Sequence, residues 1–512
     1  METNKIETRF YEIIPGALVW LTIVLSLVLS YTHPLWMVYF IMIYDLYWLF
    51  RVMYYLPFVF ISWWTYKRDL KRDWLGMAKV LPRFDEVYHV IFLPTVKEDL
   101  LVIEDCLKSL IASTYPKDKM IVVLGGEERA KESFEVKSKV IVQKYGDKFF
   151  CLMTTLHPKD LPQEIPGKGS NVNWMGHRAL EKIQELGINV DNVVVSSFDV
   201  DTVTHPQYFA CVTYKFLTVE DPHRSSYQPV VLYNNNLWES PAAVRVSSFG
   251  TTFWLMTELA RPEGMMTFSS HSMSLRMLVD VDFWQKDIVS EDSRIFLQGL
   301  VHYHGDYRVT PIYLPVSMDT VMSGNYLNAL TALYKQQRRW AWGVENFPFM
   351  VKAFLRDRKM PWTVKFGFLL KQTEGMYTWA TVPLLIFVLG RLPFVLAPDA
   401  FRSYAIFQNT PFTLEWLMRF AMVGVFVTAI LAVTLLPPRP THVSRWQTIV
   451  VTVLQWLLLP VTFVVFGAIP AIDAQTRLML GRGRLGFNVS PKRTSIPSDK
   501  NLKLETRKSD SV

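Results

Sequence analysis

Val193-Val194-Val195-Ser196-Ser197-Phe198-Asp199-Val200-Asp201 decides how this chain is to be read. The first six residues form a short, largely apolar run, which reads as a buried strand. The run passes straight into two carboxylates at i and i+2. Hard oxygen ligands just beyond a strand can share one divalent cation, Mg2+ or Mn2+, which in turn bridges a diphosphate. The same spacing recurs at Asp280-Val281-Asp282, ahead of Phe283-Trp284 and with no strand before it. There a turn or a helix cap is the expected role.

Similar runs lie upstream. His89–Thr95, Met120–Leu124 and Phe149–Thr154 read as strands, and Asp99–Ser113, Glu128–Tyr145 and Ser170–Leu186 as the helices between and after them. Short apolar strands alternating with helices predict an α/β fold with a Rossmann-like, mostly parallel sheet. Ligands of such sheets bind beyond the carboxyl ends of the strands, which points to the residues after Thr95, Leu124 and Phe198.

The flanks have a different texture. Of the 512 residues 50% are apolar, 14% aromatic and 20% charged, and mean hydropathy is +0.15. A soluble domain would carry about a quarter charged residues. Disorder, a coiled coil and a disulfide scaffold are excluded. Ala17–Tyr31 and Leu35–Phe50 predict a membrane hairpin, and Lys67-Arg68-Asp69-Leu70-Lys71-Arg72 puts the next segment of the chain in the cytoplasm. Asp45, inside the second run, is either functional or hydrogen-bonded within the bundle. Met376–Ala397 and Leu417–Leu436 predict further spans, and Gln447–Ile472 a third stretch broken by Pro460 and Pro470. These runs together predict a multi-pass protein of the cell membrane with a cytoplasmic α/β domain. No cleavage site comes after the first apolar run, so no signal peptide is expected. The net charge of +8 fits positive cytoplasmic loops, and no aromatic-interleaved basic patch suggests nucleic acid. Cys106, Cys151 and Cys211 lack metal-knuckle spacing and fit a reducing compartment.

Four further motifs could carry chemistry. Thr95-Val96-Lys97-Glu98 ends the first strand, where a nucleotide base could be held. Gly167-Lys168-Gly169-Ser170-Asn171-Val172-Asn173 opens a helix, whose N-terminus and lysine favour anions. Ser290-Glu291-Asp292 offers a carboxylate as general base, or a plain helix N-cap. Gln336, Arg339 and Trp340 share one helix face, joining a phosphate clamp to a flat ring on which a sugar can stack. The surrounding amphipathic run, Asn325 to Phe349, reads equally as a membrane anchor.

The order of these motifs resembles that of the processive, membrane-embedded glycosyltransferases of family 2: the cellulose, chitin and hyaluronan synthases. The likeness covers roughly residues 88–345 and a stretch near 490. Thr95 and Glu98 match T-x-x-E. Lys168, Asn171 and Asn173 match K-x-x-N-x-N, and Asp199 with Asp201 matches D-x-D. Ser290–Asp292 matches T/S-E-D, and Gln336, Arg339 and Trp340 match Q-x-x-R-W. Phe487, Val489, Ser490 and Lys492 are similar to the gating loop of cellulose synthases. The resemblance implies a GT-A fold, a UDP- or GDP-hexose donor, and Mg2+ or Mn2+ on Asp199 and Asp201. It also implies Asp292 as base, with Glu291 beside it, Arg339 on the diphosphate and Trp340 at the acceptor. Where the family carries a base-contacting Asp after the second strand, this chain departs from it and reads Gly125-Gly126-Glu127-Glu128, with Glu127 as the candidate substitute and the choice of nucleotide left open.

The domains implied are a membrane hairpin (1–66), the transferase domain (67–322), interface helices (323–372), a C-terminal membrane region (373–475) and a cytoplasmic gating-like loop with an expected disordered tail (476–512). Three crossings after the transferase domain would put Phe487 outside, against the basic residues Arg477 to Arg493, so 447–472 is expected to be interfacial or re-entrant. The expected activity is inverting transfer of a hexose to a growing polysaccharide. One-step glycosylation of a lipid, as in ceramide glucosyltransferase, and an inactive membrane scaffold are the alternatives.

Overall fold

The computed structural model describes residues 2–322, 325–438 and 444–481. Phe487, Val489, Ser490 and Lys492 lie outside the described residues.

Among the described residues, eight strands form one sheet: β1 Tyr88–Pro94, β2 Met120–Glu127, β3 Cys151–His157, β4 Val193–Ser197, β5 Val203–Thr204, β6 Ser225–Tyr233, β7 His271–Ser274 and β8 Arg308–Met318. The order is β3-β2-β1-β4-β7-β6-β8-β5. β3, β2, β1 and β4 run parallel, β7 is antiparallel to β4 and β6, and β8 is parallel to β6. The mostly parallel α/β sheet is as expected. Val90–Leu93, Ile121–Leu124 and Val193–Val195 are fully buried, as strands covered on both faces must be. Helices Leu100–Ile111, Lys131–Tyr145 and Lys168–Glu185 lie at the predicted places, the second behind one 3-10 turn. The three cysteines are free.

Half of the strands have no signal in the apolar pattern. β8 holds Pro311 and Pro315, and β6 holds Pro229, where its register with β8 shifts. Prolines lack the ladder donor and argue against a central strand, so these segments do not read as sheet. β7 reads His-Ser-Met-Ser, which is polar yet wholly buried.

Among the described residues, five helices are long and apolar enough to cross a membrane: Ile6–Thr32, Pro34–Asp69, Trp362–Leu396, Ala405–Thr434 and Arg445–Leu480. Pro34–Asp69 packs on Ala405–Thr434 at Gly424, where an added Cβ would stand 2.7 Å from Val52 Cγ1. Asp45 is buried, with one carboxylate oxygen unpartnered among the described residues. The expected break at Pro460 does not reverse the chain. Its missing donor falls in the first turn of Leu459–Phe463, and a 3-10 turn before and a π turn after it carry the helix on to Leu480.

That last run touches the apolar helices and the sheet domain alike: Gln475 Nε2 donates to Met376 O at 2.8 Å, and Trp20 Nε1 donates to Thr476 Oγ1 at 2.9 Å. Arg245, on helix Ala242–Leu259, donates from Nε to Gln455 Oε1 at 2.8 Å. Asp473 pairs with Arg338, on the helix Tyr326–Ala341, at 2.8 Å. Those two helices touch each other through Gln337 Nε2 and Ser247 Oγ at 3.0 Å.

Candidate functional site

Beyond the carboxyl ends of β1, β2 and β4 lies a cavity of about 210 Å3. Phe198 continues β4 by donating its N–H to Phe92 O at 3.1 Å, and Asp199 comes next, at the cavity wall. Asp199 Oδ2 accepts from Ser269 Oγ at 2.9 Å. Asp201 is 3% exposed, and its Oδ2 accepts the N–H of Asp319 at 3.0 Å. Both carboxylates open on the cavity, as does Asp319 at the end of β8.

Lys168 opens its helix and reaches across the floor. Its ammonium lies 2.9 Å from Asp199 Oδ1, 3.0 Å from Asp292 Oδ1 and 3.6 Å from Glu291 Oε1. Burial pushes Lys168 down, but these three carboxylates push harder, and the net direction is well above the lysine range. Glu291 is driven well above the glutamate range by burial and then by the Asp292 charge, with Lys168 opposing. One cation thus holds together acidic groups from β4 and from the helix Glu291–His302.

Glu98 folds the Thr95–Glu98 turn: its Oε2 accepts from Thr95 Oγ1 and from the backbone N–H of Val96 and Lys97 at 2.9, 2.7 and 3.0 Å. Glu98 and Val96 reach the wall, while Thr95 is buried behind it. Glu127 is also on the wall and pairs with Arg129 at 2.6 Å; burial raises its carboxyl and Arg129 opposes. Asn171 donates to Gly125 O at 3.3 Å, and its Oδ1 is a buried acceptor with no partner among the described residues. Asn173 is not part of the cavity and braces Trp284 O at 2.7 Å. Gln336, Arg339 and Trp340 lie on the opposite wall, where the Trp340 ring meets Tyr233 at 6.0 Å and Phe268 at 5.9 Å.

Two features carry no motif in the sequence, and one motif residue plays a different part. Tyr233 ends β6 beside Asp199, Asp201, Asp292 and Arg339; burial raises its phenol far above the usual range. The loop Thr267–Ser270 holds Asp199 through Ser269 and the Asp292 carbonyl through Thr267. Ser290 occupies the N-cap position, but its hydroxyl caps nothing and donates to Glu345 Oε1 at 2.8 Å, so the plain N-cap reading is corrected. The second acidic pair is elsewhere: Asp280 ends a helix and accepts from Tyr303 OH at 2.7 Å, and Asp282 is a left-handed turn residue.

Among the described residues no group of three or more His, Cys, Asp or Glu could hold a metal by itself. A diphosphate-bridged Mg2+ needs only one or two carboxylates besides phosphate and water, and Asp199 with Asp201 fits that donor set. A larger cavity of about 580 Å3, between the N-terminal helix and helix Asn346–Arg356, contains none of these acidic residues.

No protein-family model and no curated protein matches the chain. Solved structures do. A mannosyltransferase of Pyrobaculum calidifontis in complex with GDP-Man and Mn2+ is similar at TM-score 0.44 and 16% identity, over 85% of this chain and 99% of that one. TarS 1–349 of S. aureus in complex with UDP-GlcNAc gives 0.31 and 13%, over 67% and 90%. Glucosyl-3-phosphoglycerate synthase of Mycobacterium tuberculosis, with Mg2+ and UDP, gives 0.31 and 13%, over 56% and 84%. At such scores and identities the convergence of Asp199, Asp201, Glu291, Asp292, Lys168 and Arg339 on one cavity carries the functional argument.

Proposed function

We propose that the chain is an inverting glycosyltransferase that moves a hexose from a nucleoside-diphosphate sugar to a growing polysaccharide at the cytoplasmic face of the membrane. The single observation carrying this reading is the shared cavity, where paired carboxylates, a buried lysine, an arginine and a tryptophan face one another.

Asp199 and Asp201 would hold Mg2+ or Mn2+, which supplies charge neutralisation to the leaving diphosphate. Arg339 and Lys168 bring further positive charge to the same group. Asp292 takes the proton of the acceptor hydroxyl. The hydroxyl oxygen then bonds to the anomeric carbon as the bond to the diphosphate oxygen breaks. The nucleoside diphosphate leaves with the electron pair, and the configuration inverts. Glu98, Glu127 and the unpartnered Asn171 Oδ1 serve the nucleoside end. Trp340, backed by Phe268 and Tyr233, offers the acceptor ring a flat apolar face.

Four helices then cross the membrane, and Arg445–Leu480 lies along the interface. Its contacts through Gln455 with helix Ala242–Leu259 and through Asp473 with helix Tyr326–Ala341 support this, as does the basic character of the chain after Arg477. Four crossings leave little room for a wide saccharide path, which favours the second reading, one-step glycosylation of a lipid. Purified protein supplied with UDP- and GDP-hexoses and Mn2+ should release nucleotide, and product mass separates the readings: a ladder supports chain extension, a single glycolipid the lipid acceptor. No release from any donor overturns both.

A further inference from the structure

The proposed base sits in the first turn of a helix, directly after the loop Val289–Ser290. That loop is held by Glu345, in the 3-10 turn Trp342–Glu345 that continues from the interface helix. Its Oε1 accepts the backbone N–H of Val289 at 3.0 Å, the N–H of Ser290 at 2.9 Å and the Ser290 hydroxyl at 2.8 Å. Its Oε2 accepts the indole N–H of Trp342 at 3.1 Å. A second tie runs alongside. Arg294, on the base helix, donates from Nε to Asn346 Oδ1 at 2.8 Å and from Nη2 to Glu345 O at 3.3 Å. Asn346 Nδ2 in turn donates to Ser293 Oγ at 2.8 Å.

We infer that Glu345 is a positioning residue for the proposed transfer: it locks the loop Val289–Ser290, and through it Asp292, to the helix that carries Gln336, Arg339 and Trp340. A carboxylate buried for packing alone would cost free energy without return; one accepting four hydrogen bonds with both oxygens is satisfied, and Arg294 offsets its charge. The bonds fall on the two residues before Glu291, and the carboxylate hangs from a turn two to five residues past Trp340. Base and diphosphate clamp therefore move as one body, and the distance between them is set by a side chain that touches neither substrate. A misplacement of about 1 Å at a reacting group can cost roughly 100-fold in rate.

The inference rests on the transferase reading with Asp292 as base, and the experiment separates the two. Glu345→Ala, Glu345→Gln and Ser290→Ala are assayed in the full chain for kcat, donor KM, Mn2+-dependent nucleotide affinity and thermal midpoint. Glu345→Ala should lower kcat about 100-fold while donor KM and nucleotide affinity change less than about threefold. Glu345→Gln keeps the acceptor for the loop but turns an amide N–H toward the Trp342 indole donor; it should recover about tenfold of that loss. Adding Trp342→Phe to Glu345→Gln should cost less than Trp342→Phe alone, because the opposed donors are gone. Ser290→Ala, which removes one of the bonds, should lower kcat a few-fold at an unchanged midpoint. Wild-type kcat in Ser290→Ala, or equal loss of kcat and nucleotide affinity in folded Glu345→Ala, overturns the inference. Should Glu345→Ala not fold, the Ser290→Ala and Glu345→Gln arms decide it. Full turnover in Asp292→Asn would instead overturn the base assignment beneath it.

Discussion

Asp199-Val200-Asp201 and Asp280-Val281-Asp282 are the same three residue types, twice, in one chain. The first lies just past β4, where the ends of parallel strands leave backbone and side chains converging on a cavity. Asp201 is almost wholly buried there, and Asp199 faces Lys168. The second closes a short helix. The Asp282 side chain is 89% exposed, has φ +57°, and meets only the imidazole of His177 at 3.8 Å among the ion pairs of the described residues. A motif of two carboxylates is chemistry only where the fold removes water and supplies a cation. Elsewhere it is a turn.

That contrast can be broken by experiment. The largest effect is expected at the residue that joins the first pair across Lys168: Asp292→Asn should lower sugar transfer by roughly 10² to 10⁴-fold while nucleotide binding persists. Asp199→Ala or Asp201→Ala should weaken Mn2+-dependent nucleotide binding at least about tenfold, and chelation should do the same to the parent chain. Asp201→Ala also strands the Asp319 N–H, so its unfolding free energy should fall by about 1–3 kcal/mol, read by denaturant titration. Trp340→Ala should raise acceptor KM roughly tenfold, or about 1.4 kcal/mol, with donor hydrolysis spared. Asp282→Asn keeps a residue that tolerates positive φ and should leave stability within about 0.5 kcal/mol and nucleotide binding untouched. A metal-binding defect in Asp282→Asn, with none in Asp199→Ala, would reverse the assignment of the two pairs.

The parallel half of the sheet was legible because its strands are buried on both faces and write themselves as unbroken apolar runs. β6, β7 and β8 were not. Their prolines and serines are tolerated because neighbours, not propensity, satisfy them: Ser272 Oγ in β7, for instance, meets Ser196 Oγ at 2.7 Å and Tyr208 OH at 2.9 Å. The candidate site was legible where a motif places charge beside a strand end or on one helix face. Tyr233, Asp319 and the Thr267–Ser270 loop lie on segments with no periodic signal and enter the site only through sheet order.

Composition and periodicity alone determined that this chain joins an α/β domain to apolar helices, because both hydrophobic burial and helix length are local properties of a run of residues. Only the tertiary structure decided which acidic pair meets a lysine, that Ser290 serves Glu345 rather than its own helix, and that Arg445–Leu480 meets Arg245 and Arg338. Each of these depends on contacts between residues tens to hundreds of positions apart. The free energy of a buried charge is set by the groups around it in space, and the order of residues along the chain does not specify those groups directly.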